Sequence, residues 1–426
     1  MKKILFLSLA LMLTVGAYAQ KPKKSTAKSD LKKAQTLLTQ AVDALKAGQT
    51  KTLDYTKIDQ AWELIQNCMD DELTNGEVET WETAGRCQVF YMNKMLNERT
   101  ANNGQFADVN KFFDNQEKIV TYFCKMDAIN SAPPVFDGKK RPKFRNPEDV
   151  KKNHEYAIMN AKAPRDNLLI AGNMLMEKDP KMARHYLDIY FKSFDEPLYK
   201  ELNLHETDTM QYDANLFYAM SLIPEAKTAA DTAQVISYLQ KAMPSKKNGQ
   251  AVCVQIMQIY HSQGNMTEWA KVCRKGVQDY PEEPAFLVNL LNYEMGQKNW
   301  DEALRLANDL TTRFPDKDYG FYQRGAIYYQ QKNLEKAIEA FTEATQHDPT
   351  SVDAWAGVGN SAWMLAQNNA ANKTLSKKYY DQAIEAYEQA HTIAPDRSDV
   401  WGYPLYAIYN NTNNVAKAKE YKKYNK

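Results

Sequence analysis

The sequence predicts an all-α protein built from helical hairpins, and three observations support this prediction. Only 16 Gly and 16 Pro occur among 426 residues, whereas a β-rich exported fold usually uses more Gly in its turns. Through most of the chain, apolar residues recur at spacings of three and four, which is the period of a helix that buries one face. In the carboxyl half, Pro281, Pro315 and Pro349 stand 34 residues apart, which indicates a repeated hairpin.

Composition and charge narrow the class of protein. The chain has 54 Lys and Arg against 53 Asp and Glu, and its formal net charge is +1. This balance excludes a generally basic nucleic-acid binder, because such proteins carry a clear excess of cations. A hydrophobic content of 44% is ordinary for a globular protein with a buried core.

The first residues have the layout of a secretory signal peptide. A basic start at Lys2 and Lys3 precedes an apolar run over 4–15, and Ala17 and Ala19 place small residues before a cut after Ala19. The run is too short for the roughly 20 residues that cross a bilayer, and no later stretch approaches that length. No Cys follows the cut. We therefore predict removal of 1–19 and an exported protein, periplasmic or cell-surface associated in a Gram-negative type of cell, that is not a lipoprotein and has no transmembrane segment.

Each part of the amino half can be assigned in order. The polar residues 20–30 predict a flexible linker. Helical patterns then fill the amino-terminal region 31–200, beginning with 31–46, 55–69, 78–98 and 109–126. A long loop rich in Pro and basic residues interrupts this region at 131–147, and residues 201–249 predict a divergent helical hairpin. The basic residues of the loop are Lys139, Lys140, Arg141, Lys143 and Arg145. They could contact anionic groups or form a solvated connector.

The clearest repeat occupies residues 318–351. Gly325 and Ala337 allow two antiparallel helices to approach closely, because a larger side chain at either position would hold them apart. Pro349 ends the second helix. Aromatic and small residues fill the seam between the helices, namely Tyr328, Phe341 and Ala344. One such hairpin cannot bury its own apolar face, so neighbouring hairpins must stack on it.

This pattern resembles the tetratricopeptide repeat, a 34-residue helical hairpin. The resemblance covers 250–426, with units at 250–283, 284–317 and 318–351 and a fourth unit from 352 onwards. Trp269 replaces the small residue in the first of these units, which predicts a looser crossing. The fourth unit carries an insertion near 366–378, between its helices or extending them, and a degraded capping repeat follows it. The resemblance implies a helical-hairpin solenoid, preceded by an all-helical amino half of divergent repeats.

The resemblance also implies which side chains face a concave groove. We expect the groove to be lined by amide and aromatic side chains, namely Gln255, Gln258, Asn289, Asn292, Tyr322, Gln323, Tyr329, Asn360 and Trp363. Amides donate to and accept from a peptide backbone, and aromatic faces lose little entropy on binding. The tyrosines could equally be ordinary repeat core. Two hypotheses follow: the groove binds a partner protein or an extended peptide, or it binds a cell-envelope glycan while the basic loop contacts anionic groups.

Catalytic motifs are missing from the sequence. The six histidines show no zinc-ligand spacing, and no nucleophile elbow, P-loop or dinucleotide fingerprint occurs. We therefore predict a non-enzymatic scaffold with no catalytic residue, no metal site and no cofactor.

The five cysteines leave disulfide pairing open. They are Cys68, Cys87, Cys124, Cys253 and Cys273. An odd number leaves at least one thiol unpaired within the chain. Bridges between Cys68 and Cys87 and between Cys253 and Cys273 are geometrically possible, because each pair stands at similar heights on its hairpin. Small buried core residues are the favoured interpretation of most of them.

Overall fold

A computed structural model describes residues 25–48, 52–133 and 145–425, and every regular element in these ranges is helical. The predicted all-α fold class is thereby confirmed. The predicted signal peptide 1–19, the start of the predicted linker and four of the five basic-loop cations lie outside the described residues. Within those ranges, no helix is both long and apolar enough to cross a membrane. The chain divides into two compact units, Met1–Ala242 and Met243–Lys426.

Unit 1 contains the first nine α-helices of the described chain. Three of its helices begin after an Asp whose carboxylate accepts a hydrogen bond from the backbone N–H three residues later, a standard N-cap. The helices are α1 (Ala27–Lys46), α2 (Tyr55–Asp70), α3 (Val78–Ala101), α4 (Val109–Ser131), α5 (Pro147–Leu175), α6 (Pro180–Lys192), α7 (Leu204–Thr207), α8 (Met210–Leu222) and α9 (Ala229–Ala242). Residues 27–30 of the predicted linker belong to α1, because Ala27 is buried in the core shared with α2 and α3.

Unit 2 is a row of five consecutive helical hairpins. Each consists of a first helix and a second helix that pack on each other, and each second helix also packs on the next first helix. The helices are α10 (Gly249–Ser262), α11 (Met266–Asp279), α12 (Pro284–Gly296), α13 (Trp300–Arg313), α14 (Tyr319–Gln330), α15 (Leu334–His347), α16 (Val352–Asn368), α17 (Lys373–Ile393), α18 (Ser398–Asn411) and α19 (Val415–Tyr421).

Four of these hairpins share one turn. In each, a residue with positive φ follows the first helix: Gly264, Lys298, Lys332 and Asn413. The next residue is always Asn, and its backbone N–H donates to a carbonyl five residues earlier at 2.9 Å, which satisfies an orphan carbonyl of the first helix. The last hairpin is degraded in sequence, yet it keeps this turn, so it is a structural member of the same series.

The insertion in the fourth hairpin lengthens both of its helices. Helix α16 has 17 residues and α17 has 21, whereas α14 and α15 have 12 and 14. The two longer helices together contain twelve more residues than α14 and α15. The predicted insertion near 366–378 therefore extends the helices instead of forming a loop between them.

The close crossing predicted at Gly325 is confirmed. A Cβ at Gly325 would lie 2.6 Å from Cδ1 of Phe341, and a Cβ at Gly357 would lie equally close to the same atom. Ala337 and Phe341 are buried in the same apolar cluster. The aromatic ring therefore fills space that two glycines leave open, which joins α14, α15 and α16.

All five cysteines are buried free thiols. The interpretation as core residues is confirmed, and neither of the two geometrically possible bridges is formed. Cys273 Sγ lies 3.7 Å from Met257 Sδ, within the core of its hairpin. Burial raises the pKa of Cys68 and Cys253 to about 11 and of Cys87, Cys124 and Cys273 to about 12, so these thiols stay protonated near neutral pH.

Candidate functional site

Three of the predicted groove residues line one open cavity of about 510 Å³. Gln258 comes from α10, and Asn289 and Asn292 come from the next first helix, α12. All three side chains are exposed. We call this cavity the amide cleft. Its remaining lining residues are Val254, Met257, His261, Met266, Trp269 and Tyr293.

Local helix geometry explains the composition of the amide cleft. Asn289 and Asn292 are three residues apart, so they project from one face of α12. The Tyr319 hydroxyl lies 3.4 Å from Asn292 Oδ1 and donates to it, which leaves the Asn292 NH₂ group as a donor. Trp269 and Tyr293 form the apolar wall, with ring centroids 5.8 Å apart. Trp269, which replaces the usual small residue, thus contributes directly to the cleft.

Three more predicted residues line a second cavity of about 520 Å³. Tyr322 and Tyr329 lie on α14, and Asn360 lies on α16. Helix α18 closes the other side. We call this cavity the tyrosine cleft. The other residues that line it are Ala326, Gln330, Phe341, Asp353, Ala356, Gly357, Asp399, Val400, Tyr403 and Pro404.

Asn360 has a structural role beside its place in the tyrosine cleft. Its Oδ1 accepts a hydrogen bond of 2.6 Å from the hydroxyl of Tyr387, a fully buried residue of α17. The amide oxygen is therefore committed to the core of the hairpin. Only the NH₂ group of Asn360 remains to donate to a bound molecule.

The tyrosine cleft is acidic along one side. Asp353 and Asp399 line it, and no Lys or Arg does. Arg397 lies 3.5 Å from a carboxylate oxygen of Asp353 and 3.4 Å from one of Asp399, so it partly neutralises the pair. Burial raises the pKa of Tyr322, and the nearby Asp353 raises it further, which keeps this hydroxyl a neutral donor and acceptor.

Asp399 is a cleft residue that sequence reasoning did not select. It stands two residues before Trp401, as Asp353 stands two residues before Trp355. Asp353 and Asp399 therefore occupy equivalent positions of their first helices, and the repeat register could have placed both in the groove. The degraded sequence of α18, with Pro404 inside the helix, obscured that register.

The remaining predicted residues lie outside both clefts. Gln255 and Gln323 are half-buried and line neither cavity. Trp363 is half-buried beside Tyr403, with ring centroids 6.3 Å apart, and its buried Nε1 has no hydrogen-bond partner among the described residues. Of the basic loop, only Arg145 is described, and its Nη1 donates to the Ile129 carbonyl at 2.5 Å.

Both clefts offer uncharged hydrogen-bonding groups, and the tyrosine cleft adds the carboxylates of Asp353 and Asp399. Amide groups supply N–H donors and C=O acceptors, and tyrosines supply flat faces with a hydroxyl. Across the described ranges, no group of three or more His, Cys, Asp or Glu side chains could hold a metal ion. The arrangement suits the backbone of an extended chain, which offers alternating donors and acceptors.

A row of stacked helical hairpins with clefts on its first helices defines the class of helical-repeat scaffolds. Within this class, residues 319–351 and 369–397 each match a family model described as "Tetratricopeptide repeat". These two segments are thus tetratricopeptide repeats, as the resemblance in the sequence predicted. No curated protein matches the chain.

Solved structures of repeat proteins resemble the chain at low identity. A MamA fragment from Desulfovibrio magneticus is 16% identical with a TM-score of 0.32, over 44% of this chain and 97% of that one. YrrB, described as a TPR protein with an unusual peptide-binding site, is 16% identical with a TM-score of 0.32, over 46% and 93%. Part of a TPR protein from Cytophaga hutchinsonii is 14% identical with a TM-score of 0.39, over 60% and 93%. All three TM-scores are below 0.5.

Proposed function

We propose that the protein is an exported, non-enzymatic scaffold that binds an extended peptide segment of a partner protein along the first helices of unit 2. The observation that carries this proposal is the placement of both clefts. The amide cleft lies on the first helices α10 and α12, and the tyrosine cleft lies on α14, α16 and α18. In a repeat array the first helices follow one another along one surface, so one extended segment can occupy both clefts.

The two clefts favour different side chains of that segment. The amide cleft combines Asn289 and Asn292 with the apolar wall of Trp269, which suits a backbone stretch with an apolar side chain. The tyrosine cleft presents aromatic faces next to Asp353 and Asp399, which suits a cationic side chain through cation–π and charge attraction. The proposed segment therefore carries an apolar residue before or after a Lys or Arg.

The test begins with peptide display against the mature full chain, followed by affinity measurements on the selected synthetic peptides. We expect Asn289→Ala with Asn292→Ala to weaken binding at least tenfold, because both exposed amides leave the amide cleft. The matched control is Asn308→Ala with Gln346→Ala, which removes two exposed amides from the second helices α13 and α15. Both double variants should keep the melting temperature of the wild type.

Equal affinity of the two double variants would refute peptide binding in the amide cleft. The glycan hypothesis predicts a different result: no selected peptide would bind specifically, while an anionic envelope polysaccharide would bind in a strongly salt-dependent manner. Exchange of Asn360 for Asp provides a finer test, because Asp keeps the acceptor for Tyr387 and replaces the NH₂ donor by a negative charge, which by itself would strengthen the binding of a cationic side chain. A loss of affinity at unchanged stability would assign that donor to the bound segment.

A further inference from the structure

Unit 1 contains a cleft that the proposed function does not use. Its volume is about 640 Å³, within the range of roughly 300–1,000 Å³ that small-molecule sites occupy. Helices α2, α3 and α4 and the residues just before α4 form it. We call it the unit 1 cleft. Its lining residues are Asp59, Trp62, Gln88, Tyr91, Lys94, Met95, Glu98, Phe106, Ala107, Asp108, Lys111, Asp114, Asn115 and Lys118.

A chain of four amide side chains ends at the floor of this cleft. Asn167 Nδ2 of α5 donates to Gln116 Oε1 at 3.0 Å, and Gln116 Nε2 donates to Asn115 Oδ1 at 3.3 Å. Asn115 Nδ2 then donates to Gln88 Oε1 at 2.9 Å and to the Gln88 carbonyl at 3.0 Å. Each amide thus fixes the orientation of the next.

The last group in this chain is a donor without a protein acceptor. Gln88 is 4% exposed and Asn115 is 5% exposed, so the floor is formed by buried amides. Gln88 Oε1 accepts a hydrogen bond from Asn115. Gln88 Nε2 donates no hydrogen bond among the described residues, and Gln88 lines the cleft. Gln88 Nε2 is not among the fully buried unpaired atoms, so this donor is open to the cleft, where an oxygen atom can accept from it. The floor is therefore preorganised for an oxygen atom of a ligand.

The walls are aromatic and held in place. Trp62, Tyr91 and Phe106 line the cleft. The Tyr91 hydroxyl donates to Asp59 Oδ1 at 2.8 Å, and the hydroxyl of Tyr186 donates to Asp114 Oδ1 at 2.5 Å. These bonds fix one aromatic wall and two carboxylates. The ring of Phe106 also stacks on Phe112, with centroids 4.3 Å apart.

The charges around the cleft nearly cancel. Four carboxylates face three ammonium groups, which are those of Asp59, Glu98, Asp108 and Asp114 and of Lys94, Lys111 and Lys118. A ligand with a strong net charge gains little from such a mixture. A neutral ligand whose hydroxyl groups both donate and accept can use carboxylates, ammonium groups and amides together.

We propose that the unit 1 cleft binds a neutral saccharide, with a sugar oxygen accepting a hydrogen bond from Gln88 Nε2 and the apolar face of a sugar ring against the aromatic wall. The proposal does not depend on peptide binding in unit 2, because it uses other residues in the other compact unit. A zwitterionic amino acid is the alternative ligand, because carboxylates and ammonium groups both line the cleft. The uncharged donor at the floor favours the saccharide over the amino acid.

The test screens the full mature chain on an array of neutral mono- to tetrasaccharides and measures each hit by titration calorimetry. We expect Gln88→Leu to weaken binding at least tenfold, because it removes the floor donor. Phe106→Ala should weaken it about tenfold, because it removes an aromatic wall without touching the buried amides. Asn167→Ala should weaken it about threefold, because it frees the amide chain to reorient from a position outside the cleft.

The matched control is Asn160→Ala, because Asn160 lies on the same helix as Asn167 and its Nδ2 donates to the carbonyl of Tyr156, within that helix, at 2.8 Å. It should bind like the wild type. Binding of no neutral saccharide on the array would overturn the proposal. So would a hit whose affinity is unchanged by both Gln88→Leu and Phe106→Ala, or binding restricted to free amino acids tested in parallel. If Gln88→Leu does not fold, Phe106→Ala and Asn167→Ala decide the outcome.

Discussion

Exchange of Gly325 for Ala tests the packing argument for the repeat unit most directly. The new Cβ would lie 2.6 Å from Cδ1 of Phe341, whereas ordinary contact begins near 3.4 Å, so the ring must move by about 0.8 Å. Overpacking of this kind costs about 1–3 kcal/mol, and removal of a helical Gly returns about 0.5–1 kcal/mol. We therefore expect a net loss of up to about 2.5 kcal/mol in the free energy of unfolding.

The assay is urea unfolding of the full chain followed by circular dichroism, in which the transition midpoint reports stability at constant slope. Gly296→Ala is the matched control, because outside its own stretch of helix no described atom lies within 4 Å of its Cβ position, and it should be neutral or stabilising by up to about 1 kcal/mol. Phe341→Leu should make the effect of Gly325→Ala smaller, since the two residues are in contact. A Gly325→Ala variant as stable as the Gly296→Ala control would refute the reasoning.

Three further outcomes are expected. Arg165→Ala should destabilise unit 1 by about 3–5 kcal/mol in urea unfolding, because Arg165 is buried with Nη2 at 2.7 Å from Asp208 Oδ2. A loss below about 1 kcal/mol would contradict this prediction. Burial raises the pKa of all five thiols above their ordinary 9.0. The free energy of unfolding should therefore be highest below pH 9 and should fall as the pH rises towards 11. Urea midpoints that rise in this window would argue against it. Asp353→Asn with Asp399→Asn should weaken a cationic peptide about threefold and reduce the salt dependence of its affinity, and an unchanged salt dependence would exclude charge attraction in the tyrosine cleft.

The repeat array was predictable because its signals are local in sequence. Gly325 and Ala337 mark the helix crossing within one 34-residue unit, and Phe341 fills the space beside them. Of the groove residues, Gln258, Asn289, Asn292, Tyr322, Tyr329 and Asn360 line the two clefts, whereas Gln255, Gln323 and Trp363 line neither. A repeat register gives the helix face of a residue, but it does not give the position of the neighbouring side chains that open or cover that face.

The unit 1 cleft had no signal in the sequence. Its amide chain joins Gln88, Asn115, Gln116 and Asn167, and its longest step links positions 51 residues apart on different helices. No period or motif connects these positions, because they meet only when three helices pack together. The basic loop, which did stand out in the sequence, contributes one described residue, Arg145, and that residue donates to a backbone carbonyl.

The sequence by itself determined the helical class, the hairpin period and the close crossing at Gly325, since helix periodicity and small residues act over one or two turns of chain. Tertiary structure alone decided which polar groups remain available for a ligand. Asn360 Oδ1 accepts from Tyr387 and Gln88 Oε1 accepts from Asn115, and these bonds fix the orientation of each NH₂ group. Buried polar groups form hydrogen bonds with residues of other helices, and helix packing determines which donors and acceptors are paired.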